Sequence, residues 1–284
     1  MTLRDLISKY QTTLQKYARH RKEITHENVF QNGNDELQAV INHALAQLVK
    51  PDSRIIGAEH LFELSKKAEA GKKCLILPEH YSNFDYPLII KFLQDCGAAG
   101  EKLSKQCIAM AGVKLSEEND AISMLTDGYD TIFVYPGRSL EKITDKAVLE
   151  TELQKARRIN IASMRKMEEL RSEGRIVVVF PTGTRYRPGQ PETKKAIREI
   201  DSYIKTSDYM VLLSINGNCL EVNPTSDMTL DIVKKDTIIF EASEVLDCKS
   251  FRTEILQGLK DGADKKQCIA DEIMARLEIM HNRH

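Results

Sequence analysis

The chain has 284 residues, with 41 lysines and arginines against 42 aspartates and glutamates and a formal net charge of −1. That balance exerts no bulk pull on nucleic acid, so no nucleic-acid partner is expected and any anion site must be local. Charged residues make up 29% of the chain, no run approaches the ~20 apolar residues that span a bilayer, and Met1-Thr2-Leu3-Arg4-Asp5 has no apolar leader core; the expectation is a water-soluble, cytoplasmic protein.

Leu3, Leu6, Ile7, Tyr10, Leu14 and Tyr17 recur at helical spacing and predict a helix over residues 3–20. Gln31-Asn32-Gly33-Asn34-Asp35 reads as a turn, and Glu36 to Val49 as a second amphipathic helix stopped by Pro51. Residues 1–52 are therefore expected to form a small N-terminal helical segment. Its Lys9, Lys16, Arg19, His20, Arg21 and Lys22 suit an anionic surface, although the plainer reading is a packing appendage.

Residues 53–284 read as one α/β domain. Strands are predicted at Cys74–Leu77, Cys107–Ala111, Thr131–Tyr135, Arg175–Phe180, Tyr209–Ile215 and Asp236–Ala242. Between and after them, helices are predicted at Glu59–Ala70, Asp85–Asp95, Glu117–Leu125, Asp145–Ser172, Thr193–Lys205, Phe251–Leu259 and Asp264–Met280. Alternation of this kind implies a mixed, largely parallel sheet flanked by helices. Six cysteines at 74, 96, 107, 219, 248 and 268 have no Cys-x-x-Cys spacing, so they read as buried free thiols in a reducing compartment and no metal site is expected.

Two segments carry chemistry. His80-Tyr81-Ser82-Asn83-Phe84-Asp85 lies between the strand ending near Leu77 and the helix that holds Pro87 in its first turn. An imidazole is the natural general base near neutral pH, and a carboxylate can fix its tautomer. The plainer readings are an ordinary histidine and an Asp85 that caps the helix, with Ser82 and Asp85 at capping-box spacing. The second segment, Phe180-Pro181-Thr182-Gly183-Thr184-Arg185-Tyr186-Arg187-Pro188, is a breaker-rich loop behind a β-branched strand. If it is extended, Arg185 and Arg187 project to one side and can converge on one anion, since guanidinium forks suit phosphate oxygens. The plainer reading is a solvated turn.

The pair of segments resembles the glycerolipid acyltransferase superfamily, whose members carry a His-x4-Asp motif and, roughly a hundred residues on, a Phe-Pro-Glu-Gly-Thr-Arg block. Phe133-Val134-Tyr135-Pro136-Gly137-Arg138-Ser139-Leu140 and Met210 to Ile215 resemble the intermediate and last blocks, so the likeness spans residues 74 to 216. Arg185 to Pro188 and the long charged segment Glu141 to Arg171 are closest to the soluble, plastid-type glycerol-3-phosphate acyltransferases. The glutamate of the common block is Thr182 here, a departure that branch shares, whereas Gly137-Arg138-Ser139 is less basic than the branch's pattern.

The resemblance implies transfer of a fatty acyl group from an acyl thioester, carried by acyl carrier protein or CoA, to the sn-1 hydroxyl of glycerol 3-phosphate. The product would be lysophosphatidate for phospholipid synthesis. It implies His80 as general base, Asp85 as its orienting carboxylate, and Arg185, Arg187, Arg138 and Ser139 around the phosphate. Backbone N–H groups near Gly183 and Thr184, or at the helix start after Ser82, would be oxyanion donors. A thioester is already activated, so no cofactor is implied. The basic stretch of Lys155, Arg157, Arg158, Arg165 and Lys166 suits an acidic carrier, and the N-terminal segment a peripheral membrane contact. The alternatives are a lysophosphatidate acyltransferase acting at sn-2 and, more remotely, a noncatalytic lipid- or carrier-binding protein.

Overall fold

A computed structural model describes residues 1–17, 23–118, 120–141, 143–225 and 227–284. Two short helices, α1 (Leu3–Lys9) and α2 (Gln11–Tyr17), precede β1 (Phe30–Gln31), α3 (Asp35–Ala46), β2 (Arg54–Ile56) and α4 (Ala58–Glu69). Next come β3 (Cys74–Pro78), α5 (Asp85–Asp95), α6 (Ala98–Gln106), β4 (Cys107–Gly112), α7 (Val113–Glu118) and α8 (Asp120–Asp127). They are followed by β5 (Thr131–Val134), α9 (Gly137–Leu140), α10 (Lys146–Ser172) and β6 (Ile176–Val178). The chain closes through α11 (Ile200–Lys205), β7 (Tyr209–Asn216), β8 (Leu220–Glu221), β9 (Ile232–Val233), β10 (Ile239–Ala242), β11 (Leu246–Asp247), α12 (Cys248–Gln257) and α13 (Lys265–His281).

The main sheet runs β1-β5-β4-β6-β3-β7-β10-β2, with β11 also on β7. Its centre, from β5 to β7, is parallel, and the antiparallel pairings lie toward its edges at β1, β10 and β11. The fold is therefore α/β, with the mixed and largely parallel sheet expected from the alternation. Every residue of β3 is buried, as a parallel strand covered on both faces requires. Cys74 and Ile76 enter the core on one face, beneath α3, α4 and α5; Leu75 and Leu77 enter the other, beneath α12 and α13.

The N-terminal helices belong to the first of these cores. Leu3, Leu6, Leu14, Leu37 and Ile41 share a cluster with Ile76, Phe84 and Ile89. The backbone ties them further: Leu3 N–H donates to Asp231 O at 2.8 Å and Val233 N–H to Met1 O at 2.9 Å. Thr2 and Asp5 form a capping box at the start of α1.

Several expected elements differ. The helix predicted over 3–20 is two helices, with Tyr10 closing α1, and Arg19 to Lys22 lie outside the described residues. The helix predicted at 117–125 is likewise α7 and α8, and α6, which starts behind Gly97, was hidden by its weak apolar pattern. The helix predicted at 193–205 shrinks to α11, because Ile197 N–H is drawn to Pro181 O at 2.9 Å and Lys195 is extended. Four cysteines (74, 107, 219 and 248) are buried, but Cys96 is exposed at the end of α5 and Cys268 is half-buried. Among the described residues, no helix is long and apolar enough to cross a membrane.

If the N-terminal helices are part of the core, Leu3→Ala should cost about 2–5 kcal/mol in urea unfolding, the range for a large buried aliphatic. A loss below about 1 kcal/mol would mark α1 as an appendage.

Candidate active site

The two chemical segments meet because their strands are neighbours. β3 and β6 pair in parallel with Leu75 opposite Val177 and Ile76 opposite Val178. Their carboxyl ends therefore open side by side, where α/β sheets bind ligands. Side-chain alternation puts His80 and Phe180 on the same face, and their rings stack with centroids 4.1 Å apart at 28°. Tyr186 N–H donates to His80 O at 2.8 Å, which joins the two turns through the backbone.

Asp85 organises the first turn. Its Oδ2 lies 2.9 Å from His80 Nδ1 and accepts the Tyr81 and Ser82 N–H groups at 2.6 and 2.8 Å. Oδ1 accepts the Ser82 hydroxyl at 2.7 Å, and the Ser82 oxygen in turn accepts Phe84 N–H at 3.1 Å. Asp85 is thus the first helical residue of α5 behind Phe84, and its side chain turns back onto the preceding loop instead of capping the helix. A carboxylate can only accept, so Nδ1 carries the ring proton, and in the neutral ring the lone pair lies on Nε2. Among the described residues nothing hydrogen-bonds Nε2, and the side chain keeps 16% of its surface exposed. A half-buried imidazole with a fixed tautomer and an open nitrogen is equipped to take a proton.

The second loop contributes unequally. Arg185 Nη1 pairs with Asp231 Oδ2, and the two side chains are 7% and 0% exposed. Asp231 Oδ1 is held by Asn223, whose backbone and side-chain nitrogens lie at 3.0 and 2.8 Å. Arg185 is therefore a buried ion-pair member, and its fork is only partly available to a ligand. Arg187 is half-buried, and its guanidinium has no partner among the described residues; its N–H donates to Thr193 Oγ1 at 2.9 Å. Arg138 is exposed and reaches the same loop by donating to Thr182 O at 3.3 Å. Ser139 N–H donates locally to Pro136 O at 3.1 Å, closing the start of α9.

Gly183 adopts φ +61°, which turns the loop in the left-handed region that favours glycine. Its N–H is committed to Phe180 O at 3.0 Å, whereas Thr184 N–H has no acceptor among the described residues. Of these two candidate donors, Thr184 is the one left open. The basic stretch on α10 divides too: Lys155 pairs with Glu23 and Lys166 with Glu169, while Arg157, Arg158 and Arg165 stand exposed. Among the described residues, no cluster of three His, Cys, Asp or Glu side chains could hold a metal ion.

Sequence reasoning missed Asp231, which lies far along the chain and sits in no motif. It also missed Glu79, whose buried carboxylate beside His80 follows from continuing the β3 alternation by one residue.

A family model described as Acyltransferase matches residues 59–200, half of the chain. That span contains both turns and the Arg138 segment. No curated protein matches the chain.

Arg185→Ala would strand Asp231 as a buried charge, a loss of about 3–5 kcal/mol in chemical unfolding. Adding Asp231→Asn should return part of it, so the double-mutant cycle should show clear coupling. Additive losses would contradict the buried pair.

Proposed function

The chain belongs to the acyltransferase family, and from that premise we propose that it transfers a fatty acyl group from an acyl thioester to the sn-1 hydroxyl of glycerol 3-phosphate. The donor is a thioester of acyl carrier protein or CoA, and the product is lysophosphatidate. The observation that carries the chemistry is the His80–Asp85 pair, with Nδ1 on the carboxylate and Nε2 open.

In this reading the acceptor hydroxyl donates its proton to His80 Nε2 as its oxygen attacks the thioester carbonyl carbon. Asp85 supports the imidazolium that forms, as the carboxylate of a catalytic triad does, with the substrate alcohol in place of serine. The carbonyl oxygen becomes an oxyanion, and Thr184 N–H is the candidate donor to it. Collapse of the tetrahedral intermediate breaks the carbon–sulfur bond, and the departing thiolate takes the proton from His80. No covalent acyl-enzyme is needed.

The acceptor phosphate is assigned to Arg187 first, because its fork is open, with Arg138 at the neighbouring rim. Arg185 contributes its remaining N–H donors from within the Asp231 pair. Arg157, Arg158 and Arg165 offer an acidic carrier, or an anionic membrane surface, a cationic face on α10.

His80→Ala should lower turnover at least ~10²-fold in a protein that still melts normally; near-normal turnover would remove His80 from the base role. Arg187→Ala should raise the acceptor KM by roughly 10–150-fold, the equivalent of a charge-assisted bond of ~1.5–3 kcal/mol. The donor KM should stay within about twofold, and Arg187→Lys should recover only part of the loss because an ammonium lacks the fork. A rise confined to the donor KM would move Arg187 to the thioester side of the site.

A further inference from the structure

The reaction above leaves a buried polar cluster beside His80 unused. Glu79 is 4% exposed and immediately precedes His80. Its Oε1 accepts the Tyr81 hydroxyl at 2.9 Å. Its Oε2 accepts Ile215 N–H from β7 at 2.8 Å and lies 2.9 Å from Nδ1 of His281, the last residue of α13. Glu79 N–H itself donates to Leu213 O at 3.0 Å. One carboxylate therefore fixes both chain neighbours of His80: residue 79 by its own bonds to β7, and residue 81 through the tyrosine hydroxyl.

The two carboxylates of the turn work from opposite sides. The β3 alternation that carries His80 toward Phe180 carries Glu79 to the face covered by α13. Asp85 grips the imidazole and the N–H groups of Tyr81 and Ser82 from the front, and Glu79 grips the flanking residues from the back. We propose that Glu79 is a positioning residue for His80, and that the last turn of α13 belongs to the active-site machinery through His281.

A purely structural role explains the cluster less well. Burying a carboxylate against a half-buried imidazole is poor stabilisation compared with apolar packing of the same volume. Here every bond of the cluster ends on the His80 turn, on the β7 end beside it, or on α13. The groups facing His281 are Glu79 from the strand end, Tyr81 from the turn and Lys194 from the loop beyond Arg187; Lys194 also lies over the Tyr81 and Tyr186 rings, at 6.0 and 5.1 Å from their centroids. The hydrogen bond to Glu79 holds His281 above the ordinary histidine value, against the opposing effects of burial and Lys194. Tyr186, through its bond to His80 O, connects the same ring cluster to the second loop.

The proposal rests on the general-base reading of His80, so its test includes a readout that needs no substrate. In the full-length protein, the His80 Nδ1–H proton bonded to Asp85 is observed by NMR as a low-field, slowly exchanging signal, alongside steady-state acyl transfer. Glu79→Ala should broaden or remove that signal and lower kcat about 10²-fold, the scale of a small misplacement of a reacting group. Both KM values should stay within about twofold. His281→Ala should lower kcat about 10-fold, and His281→Asn, which keeps a donor near the Nδ1 position, should restore most of it. If Glu79→Ala does not fold, His281→Ala carries the same two readouts with Glu79 in place. An unchanged His80 signal in the folded variants overturns the proposal, whatever the acyl-transfer rate. Absent acyl transfer in the unmodified protein would count against the proposed reaction, and the NMR signal would still decide the role of Glu79.

Discussion

One carboxylate shapes the site. Asp85 gathers an imidazole, two backbone N–H groups and a hydroxyl from the five residues before it. A turn leaving a buried strand has few ladder partners for its N–H groups, and unpaired buried amides are costly. The carboxylate removes that cost for Tyr81 and Ser82, and the same oxygen sets the His80 tautomer. The shape of the turn and the tautomer of the imidazole are therefore one constraint. The Ser82 hydroxyl is occupied as a relay between Asp85 and Phe84 N–H.

The rest of the molecule brings groups to that turn. Because β6 lies directly beside β3, the Phe180–Arg187 loop crosses over His80 and covers it with an aromatic ring. Arg185 then points into the protein, to an Asp231 that is wholly buried. Asp231 O also accepts Leu3 N–H, so the helical segment at the chain start is two bonds away from the site loop. On the other face, α13 reaches the same turn through His281. Elements distant in sequence thus converge on residues 79–85 and 180–187.

What was legible in the sequence was what depends on neighbours along the chain. The β3–turn–α5 unit could be read because an apolar run, a polar turn and Pro87 follow one another within fifteen residues, and α5 begins and ends at the expected Asp85 and Asp95. The role of Arg185 could not be read, since its partner is 46 residues away and nothing in Asp231-Ile232-Val233 marks it. Arg185 and Arg187 were expected to act alike from their spacing; burial separates them, with one neutralised and one open. The helix expected at 193–205 failed for a related reason: its first half is taken up by packing on the site loop, where Ile197 also lies 3.2 Å from the position of a Gly183 Cβ. Propensity describes a segment alone, and tertiary bonds override it.

The central claim is direct transfer of an acyl chain to the sn-1 hydroxyl of glycerol 3-phosphate. It is tested most directly by giving the purified protein an acyl thioester with glycerol 3-phosphate and lysophosphatidate in competition, and identifying the acylated product by mass spectrometry and NMR. The account predicts 1-acyl-glycerol 3-phosphate, formed with equimolar free thiol and no release of fatty acid. Acylation of lysophosphatidate alone, or hydrolysis of the thioester without transfer, would contradict it.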